Sequence, residues 1–288
     1  MPTQKAVRAA AELLLDANPK IHGVCEERLA AWGEAARPAL IALAECDDSD
    51  ARARVHRILR RINVQSWLER FRSAADGGEL GLEQGAILLC KLLRPLFEAE
   101  SVGRTLDEWA SRLAPRLSAA GTRSTAVLLG RFFNDELGFR GDRRNYYERD
   151  NCLLDQVISR RQGIPISLCT VYLLVGRRIG LPLEGLGLPG HFILRLRGAR
   201  SVLLDPFHGG HVLTRSQCME RVKVMGYRLE EKYFVAMSDR KMLARILGSL
   251  IHASMNTVEA LSRQGAGSRR LEGQQEITHA LHEARRAL

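Results

Sequence analysis

The sequence predicts an α+β protein in which mainly helical segments flank a central helix packed on a small antiparallel sheet. Three observations carry that expectation. Apolar residues recur at helical spacing up to about Arg161 and again from Asp239 onward. The stretch GIPISLCTVYLLVGRRIGLP reads as one sharply bounded apolar helix. Directly after it come three β-rich runs, LEGLGL, HFILRLRG and SVLLDPF, divided by Pro189 with Gly190 and by Gly198 to Arg200.

Taken in order, residues 1–64 form a repeated pattern. AVRAAAELLLDANPKIHGVCEERLAAWG and EAARPALIALAECDDSDARARVHRILRRI each read as helix, turn and helix, with turns at Asp16 to Pro19 and Asp47 to Asp50. Leu13, Leu14 and Leu43 supply the apolar face before the turns; Leu29, Ile58 and Leu59 supply it after them. The pattern resembles HEAT repeats, and two such units cannot bury their shared face alone, which suits a cap or adaptor. Residues 65–238 form the expected main domain, helical over 65–161 and helix plus sheet over 162–238, and residues 239–288 a short helical tail. Within it, LEQGAILLCKLLRPLF reads as a buried helix ending around Pro95. Thr105 to Leu117 and Ser124 to Leu137 are amphipathic, GFRGDRRNYYERDN is a polar loop, and Leu153 to Arg160 is a short helix. Gly163 precedes the central helix, Pro165 suits its first turn, and Gly180 and Pro182 stop it. A Gly- and Ser-containing stretch after Ser262 leads to a final polar helix.

Composition narrows the classes. With 45% hydrophobic and 26% charged residues the chain is globular. No apolar run reaches the ~20 residues that a membrane-spanning helix needs. The N-terminus lacks a signal peptide's apolar core and cleavage site, so the expected location is the cytoplasm and no membrane role is expected. Cys25, Cys46, Cys90, Cys152, Cys169 and Cys218 include no CxxC pair and read as reduced, structural thiols. The net charge of +10 comes from Arg spread along helix faces, with little aromatic interleaving and no zinc-finger, RNP-like or Gly-Lys motif. Solvated helix faces account for that pattern; a basic nucleic-acid-associated protein is the second alternative.

The chemistry-bearing residues lie in the sheet. In an antiparallel hairpin turning near Ala199, His191 at the start of one strand meets Asp205 at the end of the next. A carboxylate there fixes the imidazole tautomer, and the helix N-terminus at Pro165 favours a thiolate or developing anion, as a Cys-His-Asp acyl-transfer site requires. His208 and His211 sit in a Gly-Gly loop rather than at helical spacing, so no metal site and no cofactor are expected.

These residues also carry a resemblance. NYYERDNCLLDQVISRRQGIPISLCTVYLLVGRRIGLPLEGLGLPGHFILRLR and LLDPFHGGHVL resemble the bacterial SirB-type branch of the transglutaminase-like superfamily, a domain shared with an F-box protein. The likeness spans roughly residues 65–235, with RRQGIPISL, LPGHFILR and DPFHGG its most specific parts. It implies a papain-like core and carries the superfamily's His onto His191 and its Asp onto Asp205. It also implies a nucleophilic Cys at the helix start, where this chain reads Ile164, Pro165 and Ile166. Cys169 is on the expected helix, one turn too deep and among apolar neighbours; it is the candidate nucleophile, with a core role as the competing reading. Cys152 is a further candidate, and Ser167 reads as a helix cap. Asn151, Cys152, Pro165, Ser167 and Gly190 are expected to line the cleft.

The resulting expectation is a vestigial, non-catalytic protein that recognises a protein or peptide partner. The alternative is a cysteine hydrolase or acyltransferase using Cys169 or Cys152 with His191 and Asp205.

Overall fold

Local signals set most helix starts. In the computed structural model, which describes residues 2–288 except 17, 79, 95, 96, 118, 119, 225, 229 and 266 (and not the side chains of 19, 268 and 269), α1 spans Gln4–Glu12 and α2 Pro19–Trp32. They are followed by α3 (Arg37–Leu43) and α4 (Ser49–Asp76). Thr3 Oγ1 accepts from the Ala6 N–H, Asn18 Oδ1 from Lys20, and Asp48 Oδ1 from Asp50 and Ala51, each satisfying first-turn donors that the helix cannot pair itself. Then come α5 (Leu82–Leu93), α6 (Ala99–Leu117) and α7 (Thr122–Arg131), which ends in a π-helical turn over Phe132–Glu136. The expected end of α5 around Pro95 lies outside the described residues.

The remaining elements are β1 (Arg140–Gly141), α8 (Leu154–Arg160), β2 (Gln162–Gly163), α9 (Pro165–Arg178), β3 (Leu183–Leu188), β4 (His191–Leu196), β5 (Val202–Asp205), β6 (His211–Leu213), α10 (Arg215–Val224), α11 (Asp239–Arg263) and α12 (Ser268–Arg286). This is an α+β chain. It forms two compact units, Met1–Gly77 with Ser254–Ala287, and Gly78–Ala253 with Leu288, so α11 contributes to both.

In the first unit Leu14, Leu29, Leu40, Val55, Ile58 and Ile62 form a buried cluster. Leu13, expected on that apolar face, is 42% exposed. The cause is local: Leu13–Leu15 adopt a 3-10 turn, whose tighter winding turns only Leu14 inward. Arg54 caps that turn by donating to the Leu14 carbonyl at 2.8 Å. Helix α4 runs straight through residue 64, because Trp67, Phe71 and Ala75 prolong the buried stripe of Ile58 and Ile62 and no Gly or Pro intervenes before Gly77.

The second unit is organised around α9. Every residue from Pro165 to Gly176 is buried, so the helix is enclosed on all sides. Helices α5, α6 and α8 pack on it, as do β3 and β4. Tyr172 stacks on Phe133 at 3.9 Å, and Trp109 and Phe139 meet Phe133 edge-on. The sheet is antiparallel in the order β3-β4-β5-β6. It has one strand more than the three β-rich runs, since the three residues of β6 are too few to show a period. The short parallel pair β1-β2 was equally silent in the sequence. The loop between β1 and α8 is not simply polar surface: Asp142 and Asn151 are buried, with Asn151 Nδ2 donating to Asp142 Oδ2 at 3.2 Å and to the Asn145 carbonyl at 2.6 Å.

Candidate functional site

Strand register decides which side chains meet. Pro189 and Gly190 make a two-residue turn, with Leu188 paired to His191 and Gly190 at φ +66° supplying the conformation that other residues resist. Leu194 pairs with Leu204, so Asp205 comes opposite Ile193, and His191 lies two residues further along on the same face. The long imidazole spans that diagonal: His191 Nε2 is 2.9 Å from Asp205 Oδ2. The same oxygen is 2.8 Å from His208 Nδ1 and contacts Arg221 Nη1. Asp205 Oδ1 accepts the His208 N–H at 3.2 Å, closing the turn after β5. Burial opposes ionisation of Asp205, but hydrogen bonds and charge from His191 and His208 outweigh it and hold the carboxyl well below its usual range.

Alternation along β4 sends His191 and Phe192 to opposite faces. His191 and Asp205 share the face that carries Leu186, Leu188 and Ile193, where Cys218 and Val222 of α10 complete an apolar cluster. Phe192 shares its face with Leu183, the residue against which Gly176 of α9 packs. Cys169 belongs to that second face. It is fully buried, its Sγ 3.6 Å from the Phe192 carbonyl, and burial pushes its thiol well up, with Asp205 adding and Arg245 opposing. Cys152 is buried too, and burial, helped by Asp150, pushes it up to about 12.

Two of the residues expected to line the cleft, Asn151 and Ser167, act as internal ties. Ser167 Oγ lies 2.6 Å from the Asn151 carbonyl and accepts the Ile164 N–H at 3.1 Å, which caps α9 and anchors the preceding loop. Asn151 and Pro165 are buried, and Gly190 sits exposed in the turn. The open space lies elsewhere: a cavity of about 520 Å³ is lined by residues including Leu188, Pro189, His191, His208 and Arg221. Arg221 and Arg245 escaped sequence reasoning, because α10 and α11 bring them in from outside the motifs. Arg245 Nη2 donates to the carbonyls of Leu188 and His191 at 3.0 and 2.9 Å, spanning the turn that presents His191. Arg245→Met is expected to cost about 1–3 kcal/mol by stranding both carbonyls, read as a lowered urea midpoint at unchanged slope.

The ligand atoms of His191, Asp205 and His208 lie within 4.8 Å of one another, a spacing that suits a cation. The guanidinium of Arg221 already rests on Asp205 Oδ2 and is 3.2 Å from His208 Nδ1, so the protein supplies its own positive charge there.

The family described as "Transglutaminase-like superfamily" matches residues 100–248, all within the second unit. A UPF0162 protein of Xylella fastidiosa is 37% identical over 195 residues, covering 64% of this chain and 69% of the relative. A UPF0162 protein of Vibrio cholerae is 36% identical over 46% of this chain and 51% of its own length. Human F-box only protein 21 is 34% identical over 67% of this chain but only 35% of its own length. No solved structure matches the chain.

Proposed function

Because this chain belongs to the transglutaminase-like superfamily, we propose that it uses the fold for recognition, keeping the His191–Asp205 pair as architecture and binding a protein or peptide in the groove beside it. The observation that carries this reading is the division of parts between sheet faces: the pair faces α10, while Cys169 is buried on the α9 side. A Cys-dependent hydrolase or acyltransferase would need Cys169 or Cys152 to emerge and ionise, against the burial that raises both thiols. The helix start offers no substitute, since Ser167 is engaged as a cap. In this reading the main domain is of the SirB-type branch with a papain-like core, α9 against the sheet, and the helices of the first unit are HEAT-like repeats, elements of a kind that serve protein binding.

Iodoacetamide labelling of the native protein between about pH 5 and 9, resolved by peptide, tests it. Cys169 and Cys152 are expected to label at least about a hundredfold more slowly than in the urea-unfolded chain, with no acceleration that depends on His191. Rapid low-pH labelling of either thiol, abolished in His191→Ala, together with steady acyl transfer, would overturn the recognition reading in favour of the enzyme.

A further inference from the structure

Two cavities meet at His208 and Arg221, which line both. The first, about 520 Å³, is walled largely by apolar groups, including Leu188, Pro189, Val222 and Val224, with Glu220 its one carboxylate among the described residues. Val224 is 83% exposed, and Met219 on the same helix is also exposed. Apolar side chains left in water beside a concavity are what a partner covers. The second cavity, about 510 Å³, has the opposite character: Arg140, Arg143, His208, His211 and Arg221 line it with Phe207, and no described carboxylate does.

The cations of this second cavity differ in how they are balanced from the paired arginines elsewhere in the second unit. Arg177 is paired with Asp239, Arg178 with Glu83 and Asp107, and Arg195 with Glu184. Arg140 and Arg143 are exposed, and neither has an ion-pair partner among the described residues. Arg221 is balanced by Asp205, so the uncompensated charge of the groove rests on Arg140 and Arg143.

Resting on the recognition reading above, we infer that the groove takes an extended, acidic peptide segment of a partner protein. A bulky apolar side chain of the segment packs against Pro189 and Val224, and flanking carboxylates reach Arg140 and Arg143. Guanidinium forks suit carboxylates, and pockets for alternate side chains suit an extended chain. A nucleic-acid strand would satisfy the arginines but leave the apolar cavity unused, and Phe207, the one Phe, Tyr or Trp among the described residues that line the cationic cavity, is too buried to serve as a stacking platform.

Three fluorescein-labelled peptide pools of about eight residues test this, each with a fixed central Leu, Phe or Met: one with Glu and Asp at the flanking positions, one with Gln and Asn, one with Lys and Arg. Anisotropy with the full chain is expected to show the acidic pool binding at least about tenfold more tightly than the amide pool. That gap should narrow as salt is added and close in the double variant Arg140→Gln with Arg143→Gln. Both positions are on the surface, and an unchanged thermal transition of the variant separates lost binding from lost folding. Equal binding of the amide pool, or preference for the basic pool, would overturn the acidic assignment while leaving recognition intact. Binding of a labelled poly-dT strand more tightly than the acidic pool would replace it with a nucleic-acid surface. Failure of all three pools would remove the recognition reading itself.

Discussion

Asp205→Ala is expected to lower unfolding stability by about 3 kcal/mol, measured by urea titration. Removing one member of a buried ion pair usually costs about 3–5 kcal/mol, because the partner's charge stays behind without compensation. Asp205 is fully buried, which argues for the full figure. Its partners Arg221 and His208 keep 34% and 32% of their side chains in water, which moves the expectation to the low end. The same carboxylate sets an acid limb. Its native pKa is depressed relative to the ordinary 3.8, so its stabilisation is complete above that value and is lost as pH falls through the native one. Wild-type stability should therefore decline below about pH 4, and in Asp205→Asn this contribution to the decline should be missing. A variant with the full wild-type acid limb would show that Asp205 is not the group responsible.

That carboxylate was legible in the sequence, and the reason is local. A hairpin whose turn and strands can be read fixes which residues are diagonal neighbours, so His191 and Asp205 could be brought together from spacing alone. The bounds of α9 were legible for similar reasons: Gly163, Pro165 and Gly180 act within a turn or two of where they stand. What the sequence concealed is set by packing between distant segments. Arg221 and Arg245 reach the site from α10 and α11, and no local pattern marks either arginine among the many on exposed helix faces. The cleft residues show the same limit from the other side. Asn151, Cys152 and Ser167 have the chemistry of a cleft, but their burial is decided by how the loop before α8 folds onto the start of α9. Cys169 needed one more step: helix register gave its depth, and only strand alternation separated it from His191.

The second large effect is expected at Gly210. A Cβ there would lie 2.5 Å from the Gly130 Cα and 3.0 Å from the Tyr172 hydroxyl, and its backbone is held at φ +66°. Gly210→Ala is expected to cost about 2–5 kcal/mol, combining overpacking of about 1–3 with a left-handed penalty of about 1–2. Gly209→Ala serves as the control. Gly209 has a similar φ of +76°, but its Cβ would first meet the His211 side chain at 3.3 Å, so only the backbone penalty of about 1–2 kcal/mol should appear. The difference between the two variants measures the close approach of the β5–β6 connection to α7. Equal losses would mean that the turn's conformation matters and the contact with Gly130 does not. The Gly210 N–H also donates to the Asp205 carbonyl at 2.8 Å, so Gly210→Ala should disturb the groove as well as the fold.

The convergence of three donors on one buried oxygen of Asp205 changes what natural selection would see. A residue that joins β4, β5 and α10 has a reason to be kept in folding alone, apart from any reaction nearby. Drift away from an ancestral chemistry can then remove a thiol and leave the imidazole and the carboxylate untouched, since their loss would cost the fold. The persistence of such a pair in a lineage would therefore say nothing, by itself, about whether the chemistry persists. A lineage that still performs the chemistry would be recognised by a third mark, a nucleophile on the same face of the sheet.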